Sequence, residues 1–240
     1  MQEQEGELAA LLDDIRRTFA VEFEPLQVDG VELQILGIRN MRSHLDALLL
    51  KKAVQDPLRD LPLWAKVWPG SFVLGRLLRR FEPEGRTLLE LGAGCGILSI
   101  IAAGQPFARI VASDVNDMAL KFARANVLRN GLADRVETRF VDVAATPAGG
   151  LPRFDLIAAS EILYLDSLHR PLLRFLARFL APGGKAVFCT DVARAKPRFA
   201  RLAGRSFKVS ERHVGVRSQD EEGAEDRRLY SILTVERDGG

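Results

Sequence analysis

The spacing of apolar positions changes character along the chain. Leu8, Leu11, Leu12, Ile15 and Phe19 recur at helical intervals, which predicts an amphipathic helix over residues 7–19. In "LQVDGVELQIL" (26–36), Val31, Leu33 and Ile35 alternate with polar residues around an Asp29-Gly30 turn signal, so this stretch predicts a β-hairpin. Residues 41–52 predict a second short helix, and "DPLRDLPLWAKVWPG" (56–70), rich in proline and tryptophan, predicts an ordered loop. From about residue 72, short apolar runs alternate with amphipathic ones. "FVLGRLLRRF" (72–81) is helical, "TLLEL" a strand, and "GILSIIAAG" opens the next helix. "RIVASD" is a strand ending at Asp114, followed by the helix "MALKFARANVLRNG", and "VETRFVDV" is a strand ending near Asp142. "FDLIAASEILY" is a buried strand entering a loop, "RPLLRFLARFLAPGG" a helix stopped by Pro-Gly-Gly, and "KAVFCTD" a further strand.

Strands alternating with helices predict an α/β fold, a Rossmann-like, doubly wound and mostly parallel sheet. "SFKVSERHV" and "RLYSILTVE" lack a helix between them and predict an antiparallel closing pair that brings the sheet to seven strands. The expected organisation is an N-terminal helix and hairpin extension over residues 1–58 and an α/β domain over 59–240.

Composition narrows the partners. The 240 residues are 47% hydrophobic, enough for a sizeable core, and the net charge of +2 gives no strong nucleic-acid signal. Cys95 and Cys189 are the only cysteines, too few for a disulfide framework or a zinc site, which predicts a reducing, cytoplasmic setting. The acidic start "MQEQEGELAA" does not read as a signal peptide, and the longest apolar stretch, Ile97–Ala103, is far short of the ~20 residues that span a bilayer, so no membrane is expected. His44, His169 and His213 are widely separated, and no metal site is expected.

The chemistry gathers after the first parallel strand, in "LLELGAGCG" (88–96). Glycines at the first strand–turn–helix of an open α/β sheet permit close approach of a nucleotide-like ligand. A dinucleotide fingerprint would need glycine at position 97, which is Ile97. The pattern is instead Glu90-x-Gly92-x-Gly94-x-Gly96, which resembles the first motif of class I S-adenosylmethionine-dependent methyltransferases. Asp114 ends the next strand, 22 residues beyond Gly92, where a carboxylate accepts from both hydroxyls of a ribose.

Three further stretches carry a closer resemblance, "PLWAKVWPGSFVLGRLL", "SEILY" and the Asn126…Asn130-Gly131 run. Together they resemble the seven-strand protein-lysine methyltransferases, a group that includes enzymes acting on the electron-transfer flavoprotein beta subunit and on chaperones, and bacterial relatives labelled nicotinamide N-methyltransferase-like. The resemblance covers about residues 60–236. It implies S-adenosylmethionine as cofactor and a protein substrate, with in-line methyl transfer to a lysine. It places Trp68 and the backbone around Ser160 against the cofactor, the latter at its methionine part, and has Asp142 accept from the adenine amino group. The D-x-x-Y signature of that group falls on Glu161 and Tyr164, with glutamate in place of aspartate, and implies that the pair orients the amine.

A small-molecule N- or O-methyltransferase, an enzyme of ribosomal or RNA substrates, and a catalytically silent adenosyl-binding protein are the competing readings. No Asn/Asp-Pro-Pro-Tyr tetrad follows the fourth strand and no Pro-Cys is present, which argues against exocyclic base amines and cytosine carbon-5. Trp64 is expected to pack the N-terminal segment, Cys95 to be structural, and the arginines of residues 194–217 to be either a solvated face or the frame of a substrate mouth.

Overall fold

The computed structural model describes residues 2–50, 61–145, 150–195, 197–219 and 225–237. The expected boundary at residues 58/59 and the first part of the 56–70 loop lie outside them, as does Lys196.

The five parallel strands are β3 (Thr87–Leu91), β4 (Arg109–Asp114), β5 (Val136–Phe140), β6 (Phe154–Ser160) and β7 (Leu180–Asp191). With the antiparallel β8 (Lys208–Gln219) and β9 (Glu225–Glu236) they form a seven-stranded sheet in the order β5-β4-β3-β6-β7-β9-β8. The doubly wound sheet with its antiparallel closing strands is therefore as expected. The strand order reverses between the parallel neighbours β3 and β6, which leaves a crevice over the carboxyl ends of those two strands.

Successive residues of a strand face opposite sides, and here both sides are apolar. Leu88, Ile110, Leu156 and Val187 face one core, filled from α3 (Pro69–Leu78) and α4 (Ile97–Ala103) by Leu74, Leu78, Leu98 and Ile100. Leu89, Val111, Ile157 and Phe188 face the other, filled by Phe175 and Phe179 of α6 (Asp166–Phe179) and Phe199 of α7 (Pro197–Ala203). Helix α5 (Asp117–Arg129) has two apolar sides. Val127 joins the first core, while Phe122 and Ala125 meet Ile15, Val21, Leu36 and Ile38 of the N-terminal extension.

That extension consists of α1 (Gln2–Arg16), the hairpin β1 (Val21–Val28) and β2 (Val31–Ile38), and α2 (Met41–Leu50). Asp29 and Gly30, at φ +48° and +85°, make the expected two-residue turn. Helix α1 begins and ends earlier than the leucine spacing predicts, and both its halves are fastened to α5. Arg124 of α5 bonds both carboxylate oxygens of Glu7 at 2.7 Å, and Lys121 pairs with Asp14. Trp64 packs on Phe122 with centroids 4.9 Å apart and meets Phe19 at 5.9 Å, the packing role its sequence position predicts.

Other element ends also differ from expectation. The helix expected at 72–81 starts at Pro69, whose fixed φ suits the first helical position, and its last residues form a 3-10 turn. Pro182-Gly183-Gly184 does not stand outside the next strand. β7 begins at Leu180, and the pairing passes from Phe154↔Leu180 to Leu156↔Lys185, so the three residues form an irregularity with Gly183 at φ +70°. β5 stops at Phe140, two residues short of Asp142.

Candidate active site

β3 leads into a turn in which Gly92, Gly94 and Gly96 all take positive φ, +66°, +54° and +82°. The turn is also tightly enclosed. A side chain at Gly94 would come within 2.5 Å of the Trp64 carbonyl oxygen, one at Gly92 within 2.7 Å of Ile162, and one at Gly96 within 3.0 Å of Ala123 on α5. Much of the close approach these glycines permit is thus made by the protein, which pins the turn against the loop after β6 and against α5.

Glu90, in β3 just before the turn, is buried. It is 2% exposed and accepts from the Ser99 backbone N–H at 2.9 Å and the Ser99 hydroxyl at 2.5 Å. Burial pushes its carboxyl up to about 8, against the pull of the two Ser99 bonds and with a small addition from Asp114. Cys95 is buried in the turn and its thiol is pushed up to about 12, chiefly by burial, so it is no nucleophile.

Asp114 sits at the carboxyl end of β4, 8% exposed. One carboxylate oxygen accepts from Gly94 N at 2.9 Å and the other from Asn116 N at 2.9 Å. It ties the glycine turn to the strand beside it and still has acceptor capacity on both oxygens. Burial raises its pKa and these backbone bonds oppose the rise. Val115, next in the chain, is 48% exposed, and Phe140 at the end of the neighbouring β5 is 54% exposed. Two apolar side chains left open beside a strand-end carboxylate suit the flat face of a base. Neither was singled out from sequence, where one valine and one phenylalanine look like any strand residue. Asp142 follows Val141, whose N–H donates to Asp114 O at 3.0 Å, and its carboxylate accepts from Ala144 N at 2.8 Å within its own turn.

Beyond β6 the chain takes a strained path. Glu161 is in the left-handed region at φ +59°, uncommon for a residue with a side chain. Its N–H donates to Cys189 O at 2.8 Å and its carboxylate turns back to accept from Asp191 N at 3.1 Å. Arg194 completes the set with Nη2 at 2.9 Å from Oε1 and Nε at 3.1 Å from Oε2, a bidentate charge-assisted pair. Its guanidinium lies 5.6 Å from the Trp68 ring, with the Lys66 ammonium 5.2 Å from the same ring. The Trp68 indole N–H donates to Leu63 O at 3.1 Å, which fixes the ring.

Ser160 lies beside Glu161. Its hydroxyl oxygen is buried with no partner among the described residues, and it faces Gly70 at the start of α3, where an added side chain would come within 2.6 Å of it. The structure therefore brings Trp68, Gly70, Ser160 and Glu161 together at the β6 edge of the crevice, and Gly92, Gly94, Gly96 and Asp114 at the β3–β4 edge. Tyr164 is 40% exposed, just before α6. His169 is buried, donates from Nε2 to Leu163 O at 2.9 Å and packs edge-on against Phe199.

Arg194 is the functional-looking residue that sequence reasoning left in a charged face. The only signal for it was its place three residues beyond Asp191, the end of β7. The asparagines of the Asn126…Asn130 run also acquire a role. Asn126 accepts from Leu36 N at 2.7 Å and donates to Cys95 O at 2.9 Å, so one amide joins the hairpin to the glycine turn. Asn130 accepts from Gln34 N and donates to Gln34 O, both at 2.9 Å.

Comparison with known proteins bears on this arrangement. The lysine methyltransferase family model matches residues 59–200. The ribosomal protein L11 methyltransferase of Rhizobium johnstonii is 34% identical over 139 residues, covering 55% of this chain and 41% of that protein. The electron transfer flavoprotein beta subunit lysine methyltransferase of Mus musculus is 30% identical over 141 residues, covering 58% and 53%. The chain thus spans about half the length of these two relatives. Among solved structures, the O-methyltransferase from Bacillus cereus in complex with SAH matches with a TM-score of 0.53 at 21% identity, over 81% of this chain and 91% of that one, a likeness of fold.

Proposed function

The chain belongs to the lysine methyltransferase family, whose members use S-adenosylmethionine, and we propose that it transfers a methyl group from this cofactor to the side-chain amine of a lysine in a protein substrate. The residues at the crevice fit the cofactor. Asp114 has the acceptor capacity for a ribose diol, Val115 and Phe140 offer an apolar seat for adenine, and the Ser160 hydroxyl, without a partner among the described residues, and the Trp68 ring line the β6 edge where the methionine part would lie. Asp142, held in its own turn, is the softer candidate for the adenine amino group. Glu90 contributes by fixing α4 to β3 beneath the glycine turn.

The cofactor supplies an electrophilic methyl on a sulfonium, with a neutral leaving group. What remains for the protein is to present an amine lone pair along the sulfur–methyl axis and to exclude water, and such positioning is most of the catalysis. The observation that carries the proposal is the Glu161 carboxylate, immobilised by Arg194 and Asp191 N at the end of β6 and 11% exposed. A carboxylate whose charge is already matched by a guanidinium accepts a hydrogen bond from an amine without holding it as a tightly paired ammonium. That favours the neutral, nucleophilic form of lysine. Tyr164, at the rim, walls the amine or accepts from it.

The test separates binding from chemistry. Glu161→Ala is expected to keep most cofactor affinity and to lower turnover at saturating cofactor about a hundredfold, the cost of a misplacement of about 1 Å. Full turnover in Glu161→Ala and in Tyr164→Ala would show that the acceptor is held elsewhere.

A further inference from the structure

Arg170 of α6 and Arg198, Arg201 and Arg205 on and just after α7 converge, with Leu202, on a concavity of about 300 Å³. Four guanidinium groups brought together repel one another, and among the described residues the single carboxylate that answers them is Asp166, 3.3 Å from Arg198. Among the described residues, Arg170, Arg201 and Arg205 have no carboxylate partner. A concave cluster of uncompensated arginines is an anion seat, because arginine presents a planar fork of donors suited to carboxylates.

The position of the cluster selects among anions. Asp166 opens α6 two residues after Tyr164, and Arg170 follows one helical turn later. The Arg198 end of the cluster therefore adjoins the rim at which the lysine is presented, within roughly 10 Å, a gap bridged by about three residues of extended peptide, and the cluster runs from there along α7 to Arg205, just before β8 begins at the amino edge of the sheet. We propose that this face docks an acidic segment of the protein substrate, with aspartate or glutamate side chains that begin about three residues from the target lysine and run on away from it. The inference rests on the lysine methyltransferase reading above, which makes the rim an acceptor entrance. Docking of this kind adds affinity for the protein and speeds its encounter without touching the transferring methyl.

The experiment uses the full chain and a direct binding readout. A fluorescein-labelled peptide carrying one lysine and a run of glutamates starting about three residues from it is titrated by anisotropy at low ionic strength, beside a twin with glutamine at every glutamate. The charge-reversed variant Arg201→Glu/Arg205→Glu is titrated in parallel, and S-adenosylhomocysteine binding to both proteins is measured by calorimetry. The expected result is at least about tenfold preference for the glutamate peptide, at least about fivefold weaker binding of it by the variant, and equal S-adenosylhomocysteine affinity for both proteins. Equal binding of the two peptides, or an unchanged affinity in the variant, would overturn the proposal. A single-stranded oligonucleotide bound more tightly than the glutamate peptide, with the same loss on charge reversal, would overturn it in favour of a nucleic acid. Failure of S-adenosylhomocysteine to bind, with peptide preference and its loss intact, would contradict the proposed function and leave the acidic docking face standing.

Discussion

Arg194 grips both carboxylate oxygens of Glu161 while lying over the ring of Trp68. The pair joins the segment after β7 to the end of β6 at the one described residue of the crevice that combines a side chain with a left-handed backbone beyond a strand. Removing the guanidinium leaves a carboxylate, 11% exposed, without its countercharge. Arg194→Ala is expected to lower turnover at least about tenfold while changing S-adenosylhomocysteine affinity less than about threefold. Arg194→Lys should recover only part of the rate, because an ammonium cannot make the bidentate contact. Steady-state kinetics beside calorimetry checks both; equal rates for wild type and Arg194→Ala would remove the positioning role.

Asp114→Ala removes a carboxylate that holds Gly94 N and Asn116 N and that is proposed to accept from a ribose. Hydrogen bonds to charged groups are worth about 1.5–3 kcal/mol each, so adenosyl affinity is expected to fall at least about tenfold. Calorimetry with S-adenosylhomocysteine on the folded variant gives the answer, and an unchanged affinity would place the ribose elsewhere.

The glycines of the turn differ in what they face. Gly94→Ala would drive a methyl into the Trp64 carbonyl at 2.5 Å, a backbone atom that cannot swing aside, whereas Gly92→Ala meets only the end of the Ile162 side chain. Both pay for positive φ, about 1 kcal/mol or more. Gly94→Ala is expected to be the more destabilising of the two in urea titration; the reverse order would contradict the described packing.

Glu90 predicts a pH dependence of stability. Burial pushes its carboxyl up to about 8 in the fold, from an ordinary 4.5. The folded state then binds a proton that the unfolded chain has released, so its contribution is fully present below about 4.5 and is lost as pH rises to about 8. The slope over that window is about 1.4 kcal/mol per pH unit. Glu90→Gln keeps a neutral side chain at all pH values, so its stability relative to wild type is expected to improve steadily from pH 5 to pH 8. Denaturant melts at both ends of the window check the sign, and a constant difference would show that Glu90 is ionised in the fold.

The parallel strands and the positions of Gly92, Gly94, Gly96 and Asp114 were legible because each rests on a local rule. A buried run ends in a turn that needs positive φ, and a carboxylate ends the next run. The hairpin was legible through Asp29-Gly30 for the same reason. What was not legible depends on partners distant in sequence. Leu180–Gly184 joined β7 because Phe154 pairs with Leu180, which no propensity of Pro-Gly-Gly foretells. The tie of α1 to α5 joins Asp14 to Lys121 and Glu7 to Arg124, 107 and 117 residues apart. Glu161 was picked out by resemblance, but its guanidinium partner lies 33 residues further on, in a segment that reads as surface charge. The Asn126…Asn130 run carried the resemblance without a reason. Its reason is the hairpin backbone at Gln34 and Leu36, about 90 residues earlier.

That link makes a further prediction. Asn126→Ala leaves both Leu36 N and Cys95 O without a partner in a buried place. The expected cost is about 2 kcal/mol or more, since each orphaned buried group costs about 1–3 kcal/mol. Hydrogen exchange at the Leu36 amide should accelerate beside the loss of stability in denaturant, and unaltered exchange would mean the hairpin is held by its apolar face alone.

The central claim is methyl transfer to lysine. The most direct measurement incubates the protein with S-adenosylmethionine labelled in the methyl group and a cell lysate, separates protein, RNA and small molecules, and hydrolyses the labelled protein to amino acids. The account predicts label in protein, recovered as methylated lysine, and its loss when Glu161→Ala replaces the wild-type chain. Label recovered in RNA or in small molecules, with none in methylated lysine, would contradict it.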